Sequence, residues 1–132
     1  MPFRVYPTVA ETLETHRLLI EEFGGIHGVR DIKLLESAVL RPQNSYYGNL
    51  IEEAGALMES LANNHAFIDG NKRISFVMTD AMLRANGYFL DVEPSAAHKL
   101  ITKAMEGEGF RFPLILDWLT ANAKPLDATE SS

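Results

Sequence analysis

Apolar residues recur along this chain at helical spacing in several separate stretches, parted by short polar or glycine-containing segments. Thr8-Val9-Ala10-Glu11 has the form of a capping box, in which a threonine oxygen takes the third helical N–H and the glutamate returns to the cap nitrogen. The helix it opens carries Leu13, Leu19, Ile20 and Phe23 and stops at Gly24-Gly25. Asp31 caps a second, short helix with Leu34, Leu35, Ala38 and Val39, which Pro42 cannot continue. Gln43 to Asn49 reads as an exposed loop or a small hairpin. From Asn49 onward, Ile51, Ala54, Met58, Leu61 and His65 mark one face of a third helix, so that His65 ends an apolar stripe.

Phe67 to Gly70 interrupt that pattern, and Ile74, Val77, Met78, Ala81, Met82 and Ala85 then describe a helix closed by Asn86-Gly87. Tyr88 to Val92 is a short extended piece. Pro94-Ser95 opens a further helix to about Glu106, and a last one starts near Pro113 with Leu114, Ile115, Trp118 and Leu119. No strands alternate with these helices. The expected class is therefore all-α, a bundle of about six helices with one small hairpin or loop, forming a single domain over 1–124 with a flexible tail at 125–132.

Composition fits that picture and narrows the chemistry. At 132 residues, 46% hydrophobic and 23% charged, the chain is of ordinary single-domain size and globular composition. It has no apolar run long enough to span a bilayer, and its first residues lack the apolar core of a signal peptide, so a cytoplasmic protein without membrane contact is expected. Without cysteine there is no disulfide, thiolate metal site or thiol nucleophile. A net charge of −6 argues against broad binding to nucleic acid. An anionic ligand would need a local site.

The run His65-Ala66-Phe67-Ile68-Asp69-Gly70-Asn71-Lys72-Arg73 offers one. Its second half sits at the start of a helix, whose first N–H groups have no internal partners and attract anions. Gly70 lets backbone approach a ligand, Asn71 can donate an amide hydrogen bond, and Lys72 and Arg73 place two cations where the helix dipole disfavours them. Such a conflict makes sense if a polyanion neutralises the pair, and phosphate is the obvious candidate. Asp69 is a hard oxygen ligand suited to a Mg²⁺ shared with phosphate oxygens, and His65 can take a proton from a hydroxyl at neutral pH. Phe67 serves as the apolar anchor of the loop.

Taken singly, these residues have plainer roles: a histidine capping helix carbonyls, an Asp-Gly turn, a solvated first turn. It is their ordered combination that points to phosphate transfer. A Walker loop is excluded by the missing first glycine and the missing serine or threonine after Lys72, and His16, His27, His65 and His98 show no zinc spacing.

The run resembles the signature of the Fic/Doc family, written H-P-F-x-[DE]-G-N-G-R, with which seven of nine positions agree. Ala66 replaces the proline and Lys72 the second glycine, the latter a mark of the Doc branch. Phe23 to Asp31, Leu34 to Ala38 and Arg41-Pro42-Gln43 are similar to that branch as well, and the resemblance extends from Phe23 to Trp118. Phe76 stands where many AMP-transferring members carry a second arginine.

The resemblance implies an all-α Fic fold with ATP and Mg²⁺ as cofactors. His65 would be the general base, Asp69 the metal ligand, and Gly70, Asn71, Lys72 and Arg73 the phosphate cradle. The Fic branch transfers AMP to a protein hydroxyl. The Doc branch binds ATP reversed and transfers the γ-phosphate, with elongation factor Tu as the target protein, arrested translation as the result and a cognate antitoxin as partner. Gln43 to Asn49 falls where the family has its target-docking flap, which Tyr46 and Tyr47 would line. Thr102 to Gly107 matches the form of a Fic self-inhibitory motif, a pattern with few fixed positions that we read as coincidence.

Overall fold

The first helix begins as its capping box dictates. In the computed structural model, which describes residues 3–127, the Thr8 side chain accepts from Glu11 N and the Glu11 carboxylate accepts from Thr8 N. Among the described residues six α-helices follow one another: α1 (Val9–Phe23), α2 (Ile32–Leu40), α3 (Leu50–Asn63), α4 (Asn71–Ala85), α5 (Pro94–Glu106) and α6 (Phe112–Asn122). A single 3-10 turn (Arg41–Gln43) and two short strands, β1 (Tyr88–Leu90) and β2 (Ala123–Pro125), complete the order. The all-α expectation holds, and so do the helix limits set by Gly24, Pro42 and Gly87.

The third helix is the centre of the bundle, with α2, α4 and α6 packed around it. Residues Glu53 to Met58 are buried without interruption, so no face of this helix is left to water. Small residues permit such crowding. A Cβ on Gly55 would stand 3.1 Å from Leu116 Cδ2 and 3.4 Å from Phe112 Cε1, so its absence lets α6 come close. Leu57, Met58, Leu61, Ile74, Met82 and Leu83 form the α3–α4 seam, each less than 2% exposed. Each such side chain contributes about 1.5–3 kcal/mol of apolar transfer. That seam fixes the relative position of the two helices between which the His65 to Arg73 run is strung.

Of the two alternatives for Gln43 to Asn49, a loop or a small hairpin, the structure shows the loop. Asn44 accepts from Tyr46 N through its side chain and from Tyr47 N through its main chain, and this local closure leaves no ladder to form. Tyr46 is 83% exposed there, whereas Tyr47 is turned inward onto Phe112 and accepts a hydrogen bond from Arg41 Nε. The strand pair lies elsewhere, β1 running antiparallel to β2 with Leu90 opposite Ala123 and Tyr88 opposite Pro125. Ordered backbone thus continues past Lys124: Pro125 closes the ladder and Leu126 N donates to Gly87 O. A proline is acceptable at such a strand end, where no ladder donor is required. Residues 128–132 of the expected tail lie outside the described residues.

Arg41 ties the flap segment to the core. Besides Tyr47 it donates to Glu59 Oε1 at 2.8 Å, Ser60 Oγ at 2.8 Å and Ala56 O at 3.3 Å. The other Glu59 oxygen accepts from Phe112 N, capping α6 from a neighbouring helix. Arg41→Ala would strand the nearly buried Glu59 carboxylate and is expected to lower stability in urea by about 3 kcal/mol, with Arg41→Lys recovering little because one ammonium cannot reach all four acceptors. A loss below about 1 kcal/mol would show that the network is not what holds the flap.

Candidate active site

Helix α3 ends at Asn63, and the Asn64 N–H still bonds back to Ser60 O. His65 lies two residues beyond the helix, not on its last turn as the apolar periodicity suggests. Its φ of 53° is left-handed, a conformation that costs a non-glycine residue of order 1–2 kcal/mol. Arg30 holds it there, Nε donating to His65 O at 2.6 Å and a terminal nitrogen to Asn64 O at 3.2 Å. The guanidinium thereby satisfies carbonyls at the negative end of α3.

Main-chain bonds continue the clamp. Ala66 O accepts from Arg30 N and Asp31 N, Val29 bridges to Phe67, and Ile68 N donates to Gly28 O. The loop is therefore laid like a strand against the α1–α2 connection. Its inward anchor is Phe67, 2% exposed and stacked on His16 with ring centroids 3.7 Å apart and planes at 10°. The loop's main chain is pinned as well, by the 2.7 Å contact of His16 Nε2 with Asp69 O. A carbonyl can only accept, so Nε2 carries the proton. Burial pushes the His16 pKa below its ordinary value, against the opposing pull of that hydrogen bond, and the ring stays neutral at pH 7.

Asn71 clips the loop from the other side: its Oδ1 accepts from Phe67 N at 3.1 Å and its Nδ2 donates to Phe67 O at 2.9 Å. The loop thus uses the oxygen and one of the two N–H groups of the side-chain amide that the sequence offers to an anion. Gly70 is the N-cap of α4 with φ 77°, and a Cβ there would stand 3.3 Å from Ile20 Cδ1 and 3.5 Å from His16 Nε2. Only glycine suits both the angle and the space.

The product of these restraints is one cavity of about 250 Å³ lined by His65, Asp69, Gly70, Asn71, Lys72 and Arg73, with His98 and Met105 of α5 closing its other side. The His65 imidazole is exposed there. The Asp69 carboxylate is fixed by two main-chain donors, Gly70 N to Oδ1 at 2.8 Å and Ile26 N to Oδ2 at 3.1 Å. Gly25 makes room for it, since a Cβ would lie 2.8 Å from Oδ2. No side chain caps the start of α4, so its first-turn N–H groups face the same space as Lys72 and Arg73. Helix end and cations together give this cavity the electrostatics that suit an anion.

Lys72, Arg73 and His98 also line a second, larger cavity of about 530 Å³ walled by Leu19, Phe23, Phe76 and Val77. Arg73 stands over the Phe23 ring at 4.3 Å, a cation–π contact that orients the guanidinium. Phe76, 8% exposed and packed towards Trp118, gives this cavity an apolar wall at the position where an arginine is common in the resembled family. Tyr46 and Tyr47 line neither cavity. Glu106, in the Thr102 to Gly107 pattern, is exposed at the end of α5 and forms no ion pair with Lys72 or Arg73 among the described residues.

Three residues that shape this site escape the sequence reading. His16 left a faint signal, the spacing of four that makes Thr12, His16 and Ile20 the buried stripe of α1. Arg30 and His98 left none, because their partners are distant in the chain. His16→Ala would open a cavity beneath Phe67 and orphan Asp69 O, with an expected stability loss of about 2–3 kcal/mol. Hydrogen exchange should then quicken at the amides of Phe67 to Gly70 before it does in the α3–α4 seam; uniform quickening would mean that His16 supports the whole fold rather than the loop.

A family model described as the Fic/DOC family matches residues 6–83. The protein named Toxin Doc of Mycolicibacterium smegmatis is 47% identical over 70 residues, which cover 49% of this chain and 54% of that protein. The chain thus spans about half the length of the curated relative it matches. The family match takes in the Arg30 clamp, the His65 to Arg73 loop and most of α4, and it covers more than half of the 132 residues. On that ground the chain belongs to the Fic/DOC family, with Doc as the branch it resembles.

Proposed function

We propose that the chain is the toxin of a toxin–antitoxin pair, acting in the cytoplasm, and that it transfers the γ-phosphate of ATP to a hydroxyl group of a protein. The observation that carries this reading is Lys72, a bulky cation where the family signature has glycine, lining the same cavity as His65 and Asp69. Its side chain takes space that would otherwise admit further phosphates beside the base. The larger apolar cavity supports the same orientation: it meets the polar one at Lys72 and Arg73 but is not lined by His65. A nucleoside seated there would direct the terminal phosphate towards His65.

In this scheme the target hydroxyl gives its proton to the exposed His65 imidazole while its oxygen bonds to the γ-phosphorus, and the bond to the β–γ bridging oxygen breaks to release ADP. Lys72, Arg73 and the α4 N–H groups neutralise charge on the transferred group. Asp69 fits a magnesium ion: its carboxylate is held in place, and a lone carboxylate completed by phosphate and water is a usual magnesium environment. When bound, the ion would screen the phosphate charges. By the family resemblance the first target to test is elongation factor Tu, and Tyr46 at the flap is the exposed aromatic beside which an extended target segment would lie. The antitoxin is the expected second partner.

Incubation of the chain with elongation factor Tu and ATP labelled at the γ or the α position tests the proposal. Label should reach the target from γ-labelled ATP alone and be lost with a magnesium chelator. Label arriving only from α-labelled ATP would overturn it in favour of AMP transfer. His65→Asn, chosen because asparagine tolerates the left-handed backbone, should keep the melting temperature while transfer falls by about 10²-fold or more. Full activity in that variant would remove His65 as the base.

A further inference from the structure

One titratable group faces the phosphate cavity without a part in the scheme above. His98 belongs to α5, whereas Lys72 and Arg73 belong to α4, and these three residues are shared by the two adjoining cavities. His98 therefore stands across the cleft from the cations, at the junction through which a polyphosphate would run. The charged or titratable groups around it are Lys72 and Arg73 from α4, His65 and Asp69 from the loop, and Glu93 and Lys99 at its own end of α5. From α1 the cavity wall receives the apolar Leu19 and Phe23.

The electrostatics of this position reverse when an anion enters. In the free protein, partial burial and then repulsion from Arg73 and Lys72 push the His98 pKa below its ordinary value, so the ring is neutral at pH 7. A polyphosphate cancels those two charges and brings excess negative charge within reach of the imidazole, which favours the protonated form.

We propose that His98 is the third arm of the phosphate cradle, taking up a proton as a polyphosphate binds between α4 and α5 and so tightening binding as the pH falls. This rests on the phosphate reading of the cavity but not on which phosphate is transferred. The sign follows from linkage. The bound state holds the proton more strongly than the free state, so affinity rises as pH falls through the bound-state value and levels off below the free-state value. Added salt should shrink the effect, because the imidazole, though partly covered, still meets solvent.

Calorimetric titration of the full chain with inorganic tripolyphosphate, between about pH 8 and about pH 6, tests this with wild type, His98→Gln and His98→Lys. Wild type should gain about fivefold more affinity over that range than His98→Gln, and its binding heat should vary with the ionisation enthalpy of the buffer in the sense of proton uptake. His98→Lys, charged throughout, should bind tightly without the additional gain. Titration of the ligand is common to all three proteins and cancels in the comparison. Equal pH dependence in wild type and His98→Gln would overturn this role for His98 while leaving the cradle intact. Failure of wild type to bind tripolyphosphate at any pH would overturn both.

Discussion

The turn from α3 into α4 is held by a segment 35 residues earlier in the chain, through the Arg30 guanidinium on His65 O and the main-chain bonds of Arg30, Asp31 and Gly28 to the loop. Without that clamp His65 would have no reason to keep a left-handed backbone, and the α3 carbonyls would face solvent unpaired. Because it holds, the imidazole leaves the apolar stripe of α3 and opens into the cavity. Beneath it the Phe67–His16 stack and the Asn71 clip fix the loop in depth. Position, rather than any unusual side chain, is what these residues supply.

The second organising feature is the start of α4, which no side chain caps. A helix whose first turn bears Lys72 and Arg73 and lacks a capping side chain is electrostatically unfavourable by itself. An anion would complete the arrangement, which is what supports the phosphate reading proposed for the site. The apolar cavity beside it, bounded by Phe23 and Phe76, adds room for a larger ligand.

Much of this was legible in the sequence because it is local. Capping signals at Thr8 and Asp31, the breaks at Gly24, Pro42 and Gly87, and the periodicity of α3 and α4 depend on neighbours within a few residues. The family signature is local too, which let nine consecutive residues indicate family and candidate site together. Local reasoning misjudged the ends of those same elements. It carried α3 through His65, since a histidine four residues after Leu61 fits a helical face, and it released the chain at Pro125, where a strand from elsewhere was waiting to pair.

By itself, then, the sequence determined the helix order, the motif and the charge conflict at the start of α4, all consequences of short-range hydrogen bonding and spacing. Only the tertiary structure decided that Asn71 serves the loop through its side chain, that Tyr47 turns inward while Tyr46 does not, and that His16, Arg30 and His98 belong to the site. The reason is physical. Each of those roles depends on a partner brought close by packing around α3, and neither spacing nor composition records which distant residues that packing will join.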